Sequence, residues 1–191
     1  SIAESDEELM EKYFETGELS EEEIAKGLET AIMNGDLVPV FACSATKDIG
    51  VEELMDAIAN LFPNPLAKGT IADAEGNDIE LTADGKGIAR VFRSISDPFI
   101  GQLTFMRVVS GTFSSDSEVY NSTKSSKERF GTMMLLNGKN QEPAAEAVPG
   151  MVFGIAKLKS TAINDTIGSD NSIKPLPKIE FPKPVMSYAI T

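Results

Sequence analysis

Residues 87–168 alternate between short apolar runs and turn residues. The runs are rich in Val, Ile, Phe and Thr, and Gly, Pro, Asp, Asn and Ser separate them. This pattern is typical of antiparallel strands. It predicts strands near residues 87–95, 102–110, 117–121, 128–136, 151–158 and 165–168. Because a closed barrel leaves no exposed strand edge, six short strands of this spacing predict a mainly β fold built on a six-stranded antiparallel β-barrel.

Helical periodicity dominates the residues before the predicted barrel. Two pairs of residues have the spacing of a capping box, Ser5 with Glu8 and Ser20 with Glu23, and each precedes an apolar stripe at helical intervals. Gly35 then provides a typical helix end. Two helices are therefore predicted, the first over residues 5–16 and the second ending at Gly35.

One strand and one further helix complete this N-terminal part. The apolar segment 37–42 predicts a short buried strand, and Pro39 within it would place that strand at an edge. Residues 51–61 carry apolar side chains at i, i+3, i+4 and i+7, which predicts a third helix. The order helix, helix, strand, helix is that of a truncated α/β segment. We therefore expect the rest of its sheet upstream, in a longer chain.

Changes in composition divide the sequence into four predicted segments. Residues 1–62 form the helical α/β part, and residues 63–86 are a connection rich in Pro, Gly, Asp and Ala. Residues 87–178 hold the barrel and its exit. Residues 179–191 are extended and begin a further domain, with a strand predicted over residues 185–190.

The net charge of −13 is confined to the helical part. Residues 1–62 hold 16 acidic and 3 basic residues, whereas the rest of the chain holds 14 of each. Such a surface repels nucleic acid and favours a basic partner. The alternative is that the acidic helix faces are simply solvated, and that Glu21, Glu22 and Glu23 interact with the dipole at a helix N-terminus.

Several kinds of chemistry are excluded by residue content. The sequence has no histidine and one cysteine, Cys43, so internal disulfides, Ser-His and Cys-His nucleophile pairs and the common His-based zinc sites are absent. No apolar run approaches about 18 residues, so no membrane partner is expected. The acidic start lacks the features of a secretion signal. These observations predict a reducing, cytoplasmic location.

Lys124, Lys127 and Arg129 form a basic cluster near a predicted hairpin. Basic side chains at a loop tip neutralise phosphates without selecting a base sequence. A solvated hairpin, with Glu128 balancing the charge, is the alternative.

The roles of several other charged side chains on the predicted strands stay open. Arg90, Arg93 and Arg107 either pair with acidic residues or face RNA. A second class of function, an acid–base hydrolase using Asp97 or Asp165, has no carboxylate pair in a recognisable context.

Three stretches together resemble bacterial elongation factor G and elongation-factor-G-like proteins. They are Val38–Val51 with Leu54–Asp56 and Phe62–Pro65, Asp97–Phe105 with Arg107–Val108 and Ser110–Thr112, and Val119–Lys124 with Lys127–Arg129. The resemblance covers nearly the whole chain in the family's order. It implies that residues 1–62 are the C-terminal part of a GTPase domain, that residues 87–178 are the β-barrel domain II, and that residues 179–191 begin domain III.

The resemblance also implies a nucleotide contact. Ser44, Ala45 and Thr46 match the motif in which a loop offers a backbone N–H to the guanine O6 of GTP or GDP, which the intact parent binds with Mg²⁺. The sequence has no phosphate-binding Gly-x4-Gly-Lys-Ser/Thr loop and no Asn-Lys-x-Asp motif. We therefore expect this chain to be non-catalytic and to bind GTP more weakly than micromolar, which calorimetric titration checks. The intact parent is expected to be a GTPase.

The partners that the resemblance implies are ribosomal. Small-subunit RNA would contact the barrel, and the candidate residues for that contact are Lys124, Lys127 and Arg129. The ribosomal stalk protein would contact the acidic helices, and DNA is not expected. Pro149-Gly150-Met151 and residues 163–167 depart from the common family pattern. A paralogue, such as a ribosome-protection protein, therefore stays open as an alternative, as does a generic protein-binding β module.

Overall fold

The computed structural model describes residues 7–97, 101–138, 140–183 and 185. The chain divides into two compact units, Ser1–Lys68 and Gly69–Thr191, called here the helical unit and the β unit. The predicted N-cap Ser5, the predicted turn residue Pro98 and the predicted strand over 186–190 lie outside the described residues.

The described residues of the helical unit form three α-helices and one 3-10 turn. They are α1 (Glu7–Thr16), α2 (Glu21–Asn34), the turn Ala45–Lys47 and α3 (Val51–Leu61). The predicted capping box of α2 is present: the Glu23 N–H donates to the Ser20 hydroxyl at 3.3 Å, and the Ser20 N–H donates to the Glu23 carboxylate at 2.9 Å. Gly35 ends α2 in the left-handed conformation, at φ +82°. In the described part of the chain, no helix has the length and apolar content needed to cross a bilayer.

The segment 37–42, which the sequence predicts as a buried strand, is not a strand in the structure. Val38 is 79% exposed and Val40 is 92% exposed. A strand needs a neighbour to bond its N–H and C=O groups, and no strand in the described part of the helical unit lies beside this one. The Leu37 N–H at its start donates to the Ala31 carbonyl at 3.2 Å, and a β-bridge forms beyond its end, between Ser44 and Ile49, next to the exposed Cys43.

Twelve strands lie in the part of the β unit that the structure describes. In chain order they are β1 (Thr70–Ala72), β2 (Asp78–Glu80), β3 (Ile88–Asp97), β4 (Gly101–Ser110), β5 (Phe113–Ser114), β6 (Glu118–Asn121), β7 (Ser126–Arg129), β8 (Met133–Asn137), β9 (Asn140–Ala144), β10 (Glu146–Ala147), β11 (Val152–Ala156) and β12 (Thr166–Gly168). Eight of them form one sheet in the order β7-β6-β12-β3-β4-β11-β8-β9. The pairs β1-β2 and β5-β10 form two smaller sheets.

The mainly β fold class is confirmed, and all six predicted strand regions carry strands. The main sheet nevertheless has eight strands, because the region predicted as one strand over 128–136 is two and because β9 was not predicted. Residues 130–132 interrupt the first, where the fully buried Phe130 side chain enters the core. The residues of β9 are mostly polar and include Pro143, so they carry no strand signal.

A single hydrophobic core lies inside the β unit. Its cluster of buried residues takes side chains from β3, β4, β5, β6, β8, β10, β11 and β12. Phe113, Phe130 and Phe153 lie together in it, with ring centroids 5.6–6.5 Å apart. Strands near both ends of the eight-stranded sheet contribute to this one cluster. The sheet therefore curls around its core, and each strand has an inner face and an outer face.

The segment before β3 is bonded to the end of β4. The Thr82 N–H donates to the Ser110 hydroxyl at 3.0 Å, and that hydroxyl donates to the Thr82 carbonyl at 3.1 Å. The Gly111 N–H donates to the same carbonyl at 2.6 Å. Gly111 has φ +64° and lies so close to the backbone of Lys86 that only glycine fits.

Candidate functional site

The β6-β7 hairpin presents two of the three predicted RNA-contact residues. Lys127 lies opposite Tyr120 and Arg129 lies opposite Glu118 across the ladder. Both basic side chains are exposed, whereas Glu128 between them points to the other face and is 7% exposed. Because β7 is an edge strand of the main sheet, Lys127 and Arg129 are accessible along that edge.

Lys124, the third predicted residue, is held by the protein itself. Its ammonium group forms an ion pair with Asp165 at 3.2 Å and donates a hydrogen bond to the Ser160 carbonyl. Its backbone N–H donates to the Asn121 side chain at 3.0 Å. The structure therefore brings Lys127 and Arg129 together on one strand and turns Lys124 towards the loop before β12.

A polar cluster lies beneath this hairpin, formed by Asn121, Lys124, Glu128, Ser160, Thr161 and Asp165. The Glu128 carboxylate accepts hydrogen bonds from the Ser160 N–H at 2.7 Å, the Ser160 hydroxyl at 2.9 Å and the Thr161 hydroxyl at 3.2 Å. Burial raises the pKa of Glu128, but the donors on Ser160, Lys159 and Thr161 outweigh it and leave that pKa below its usual value. The Glu128 side chain does not balance the charge of Lys127 or Arg129, because it faces the cluster.

Replacing Glu128 by glutamine should destabilise the β unit by about 1–3 kcal/mol, since a neutral amide cannot accept all of these bonds. A carboxyl group whose pKa is lowered by folding contributes stability above its unfolded pKa and loses it as the pH falls through its folded pKa. The difference between wild type and Glu128→Gln should therefore shrink as the pH falls below about 4.5, the ordinary pKa of Glu128. Urea unfolding at a series of pH values measures it.

The exposed Glu142→Gln variant is the matched control, and it should change stability little at any of these pH values. A Glu128→Gln effect that stays constant down to strongly acidic pH would contradict the role assigned to the carboxylate.

The same cluster argues against the hydrolase alternative. The Asp165 side chain is 7% exposed, and its carboxylate accepts from the Ala162 N–H at 2.8 Å and from the Asn121 amide at 2.9 Å, besides pairing with Lys124. These contacts are all to one oxygen of the carboxylate, and they hold the loop before β12 in place. The side chain of Asp97 lies outside the described residues. No group of three or more His, Cys, Asp or Glu side chains within the described residues could hold a metal ion.

Three arginines lie on the outer face of the main sheet. Arg90 and Arg107 are directly opposite one another on β3 and β4, and Arg93 lies opposite Phe105. Arg107 and Arg93 are exposed and Arg90 is half-buried. The Arg93 guanidinium carbon is 6.0 Å from the centre of the Phe105 ring. None of the three forms an ion pair with any residue that the structure describes.

The predicted nucleotide loop is a short closed turn. The Ser44 N–H donates to the Ile49 carbonyl at 2.8 Å, and the Ile49 N–H donates back at 3.2 Å. These closing bonds do not use the N–H groups of Ala45 and Thr46, and both of these small residues are exposed. Gly50 follows at φ +72°, where a Cβ atom would lie 2.9 Å from the Ala42 carbonyl oxygen. The loop therefore has the small side chains and available backbone donors that a flat base requires.

Comparison with known proteins shows which protein family the β unit is similar to. Residues 87–170 match the family model described as "Elongation factor G domain 2". Together with the antiparallel sheet described above, this match supports a translation-factor domain II within the β unit. The chain is also similar to a solved crystal structure from Thermus thermophilus, at 26% sequence identity with a TM-score of 0.76.

The two matches differ in extent. The alignment with the Thermus thermophilus structure covers 96% of this chain and 26% of that one, so the present chain spans about a quarter of the length of the solved chain that it matches. The helical unit is included in that alignment, whereas the family model covers the β unit alone.

Proposed function

We propose that the chain is part of a ribosome-associated translational GTPase of the elongation factor G kind, acting in cytoplasmic protein synthesis. In this proposal the β unit is a non-catalytic docking module that contacts small-subunit ribosomal RNA. The match of residues 87–170 to the family model of elongation factor G domain 2 carries the proposal. The exposed Lys127 and Arg129 support the RNA contact, because edge cations neutralise phosphates.

The helical unit has a separate role in this proposal. It would supply the end of the GTPase domain, with Ser44, Ala45 and Thr46 lying against the guanine of GTP or GDP. The N–H groups of Ala45 and Thr46, which the closing bonds of the turn do not use, would donate to the oxygen on the edge of that base. No residue of this chain is assigned to the phosphates or to Mg²⁺. The acidic helices, through Glu21, Glu22 and Glu23, would face the ribosomal stalk protein.

A sedimentation experiment tests the docking role. The chain is centrifuged with purified small ribosomal subunits at low and high salt, and we expect weak co-sedimentation that is lost at high salt, because phosphate contacts release counterions. The double variant Lys127→Gln/Arg129→Gln should co-sediment less at low salt. A control variant, Lys26→Gln/Lys47→Gln, removes the same charge from the helical unit and should behave as wild type.

No co-sedimentation of the wild type at any salt concentration would remove the docking role. Equal loss in the two double variants would mean that net charge, and not the β7 edge, governs the association.

A further inference from the structure

The pairing of Arg90 with Arg107 is a local electrostatic conflict in the sheet. The two residues are directly opposite across β3 and β4. Their outward orientation follows from their neighbours, since Ala89, Val91 and Met106 are fully buried on the inner face. Directly opposed residues have Cβ atoms about 4.5–5.5 Å apart, and like charges at that separation destabilise a sheet.

The described residues that flank this pair on the neighbouring strands carry no negative charge. Arg90 lies opposite Thr166 on β12, and Arg107 lies opposite Val152 on β11. The Thr166 hydroxyl is already used, because it accepts the Leu176 N–H at 2.9 Å. Burial lowers the pKa of Arg90, because desolvation disfavours its charged form.

Aromatic surface continues the site along β3. Phe92 is 40% exposed, and its ring centroid lies 6.5 Å from that of Phe105, the ring that Arg93 covers. The carboxylates of an acidic peptide would pair with the arginines of such a surface but would not stack on its aromatic rings. RNA offers both phosphates for the guanidinium groups and bases for the rings.

We propose that Arg90 and Arg107 form a binding site for the backbone phosphates of RNA on the outer face of the β unit, with Arg93 and Phe92 extending it. Two planar guanidinium groups, carried by residues directly opposite one another on β3 and β4, supply the kind of N–H donors that phosphate oxygens accept. The phosphate replaces the missing counter-charge, so binding removes the repulsion within the pair. The site is separate from the β7 edge, and because it names a contact to RNA it rests on the proposed function.

The test is the salt dependence of binding to a fluorescein-labelled RNA stem-loop of mixed sequence, followed by fluorescence anisotropy. The double variant Arg90→Gln/Arg107→Gln should bind at least about tenfold more weakly at low salt. The slope of log K against log salt should fall by about 1.4–1.8, which corresponds to two lost phosphate contacts. The control Lys26→Gln/Lys47→Gln makes the same change in net charge and should keep the wild-type slope.

Two further measurements separate loss of the site from loss of the fold. The double variant should unfold at the same temperature as wild type or at a higher one, because the repulsion is gone. Arg107→Lys should keep the slope while binding more weakly than wild type, since lysine retains the charge but loses the fork of donors. A double variant that binds RNA with the slope and affinity of the control would overturn the proposal. So would Arg-dependent binding of a polyglutamate peptide without binding of the RNA.

Sedimentation with small subunits distinguishes this proposal from the proposed function. If wild type and Arg90→Gln/Arg107→Gln co-sediment equally, the site is wrong and the docking role stands. If wild type fails to co-sediment but binds the stem-loop in an Arg-dependent manner, the docking role is wrong and the site stands.

Discussion

Replacing Phe153 by alanine should destabilise the β unit by about 3–5 kcal/mol, the cost of removing a large side chain from a close-packed core. Phe153 is fully buried, and its ring lies 5.8 Å from that of Phe130 and 6.5 Å from that of Phe113, between centroids. Truncation therefore leaves a cavity at the centre of the aromatic group and removes two ring contacts. Equilibrium unfolding in urea, followed by circular dichroism in the β-sheet band, measures the loss.

Phe181→Ala is the matched control, because the Phe181 side chain is 58% exposed and its removal opens no cavity. Its effect should stay within about 0.5 kcal/mol. Should Phe153→Ala fail to fold, Phe153→Leu keeps part of the volume and should fall between the alanine variant and wild type. A loss below about 1 kcal/mol for Phe153→Ala would mean that the three rings do not form the core described above.

Gly111→Ala should destabilise the β unit far more than Gly138→Ala, although both glycines have nearly the same backbone conformation. Their φ angles are +64° and +60°, so each variant loses about 1–2 kcal/mol from the left-handed backbone alone. At Gly111 a Cβ atom would lie 2.4 Å from the carbonyl carbon and oxygen of Lys86, whereas at Gly138 it would meet nothing within 4 Å. Forcing that backbone apart should cost a further 1–3 kcal/mol or so.

The comparison isolates the close approach, because the residue change and the conformation are the same at both sites. Unfolding in urea gives both values under one set of conditions. Equal losses for the two variants would show that the segment before β3 moves freely away from the end of β4.

Structural features that depend on residues close together in the sequence were predicted well, whereas features that depend on a distant neighbouring strand were not. The capping box of Ser20 and Glu23 requires only residues three positions apart, and the structure forms it as the sequence predicts. The apolar segment 37–42 has the composition of a strand, but strand formation depends on a neighbour that composition does not supply. This segment is therefore exposed because it has no neighbouring strand, and not because of its own residues.

The Arg90–Arg107 pair shows why a site can escape sequence analysis. The β3-β4 hairpin begins with Asp97 opposite Gly101, and counting back from that turn would place Arg90 opposite Val108. A bulge between Val91 and Arg93 shifts the register by one residue and places Arg107 opposite instead. No signal in the sequence marks a bulge at Phe92, so the three arginines could be recognised as strand residues but not as a pair.

The surroundings of Lys124 escaped the sequence analysis for a related reason. Its three-residue separation from Lys127 suggests one basic surface, but its ion-pair partner Asp165 is 41 positions further along the chain. Burial of that carboxylate draws the ammonium group inward. Of the predicted cluster, Lys127 and Arg129 are the two residues that share one exposed strand face.

The bonds between Thr82 and the end of β4 determine where this protein can be shortened. The family match starts at residue 87, yet a truncation there would delete the acceptor of the Gly111 N–H and the backbone partners of the Ser110 hydroxyl. Ser110 is 1% exposed, so water cannot readily replace them. An independently stable version of the β unit should therefore begin at Gly69, about one hairpin earlier than sequence similarity alone suggests.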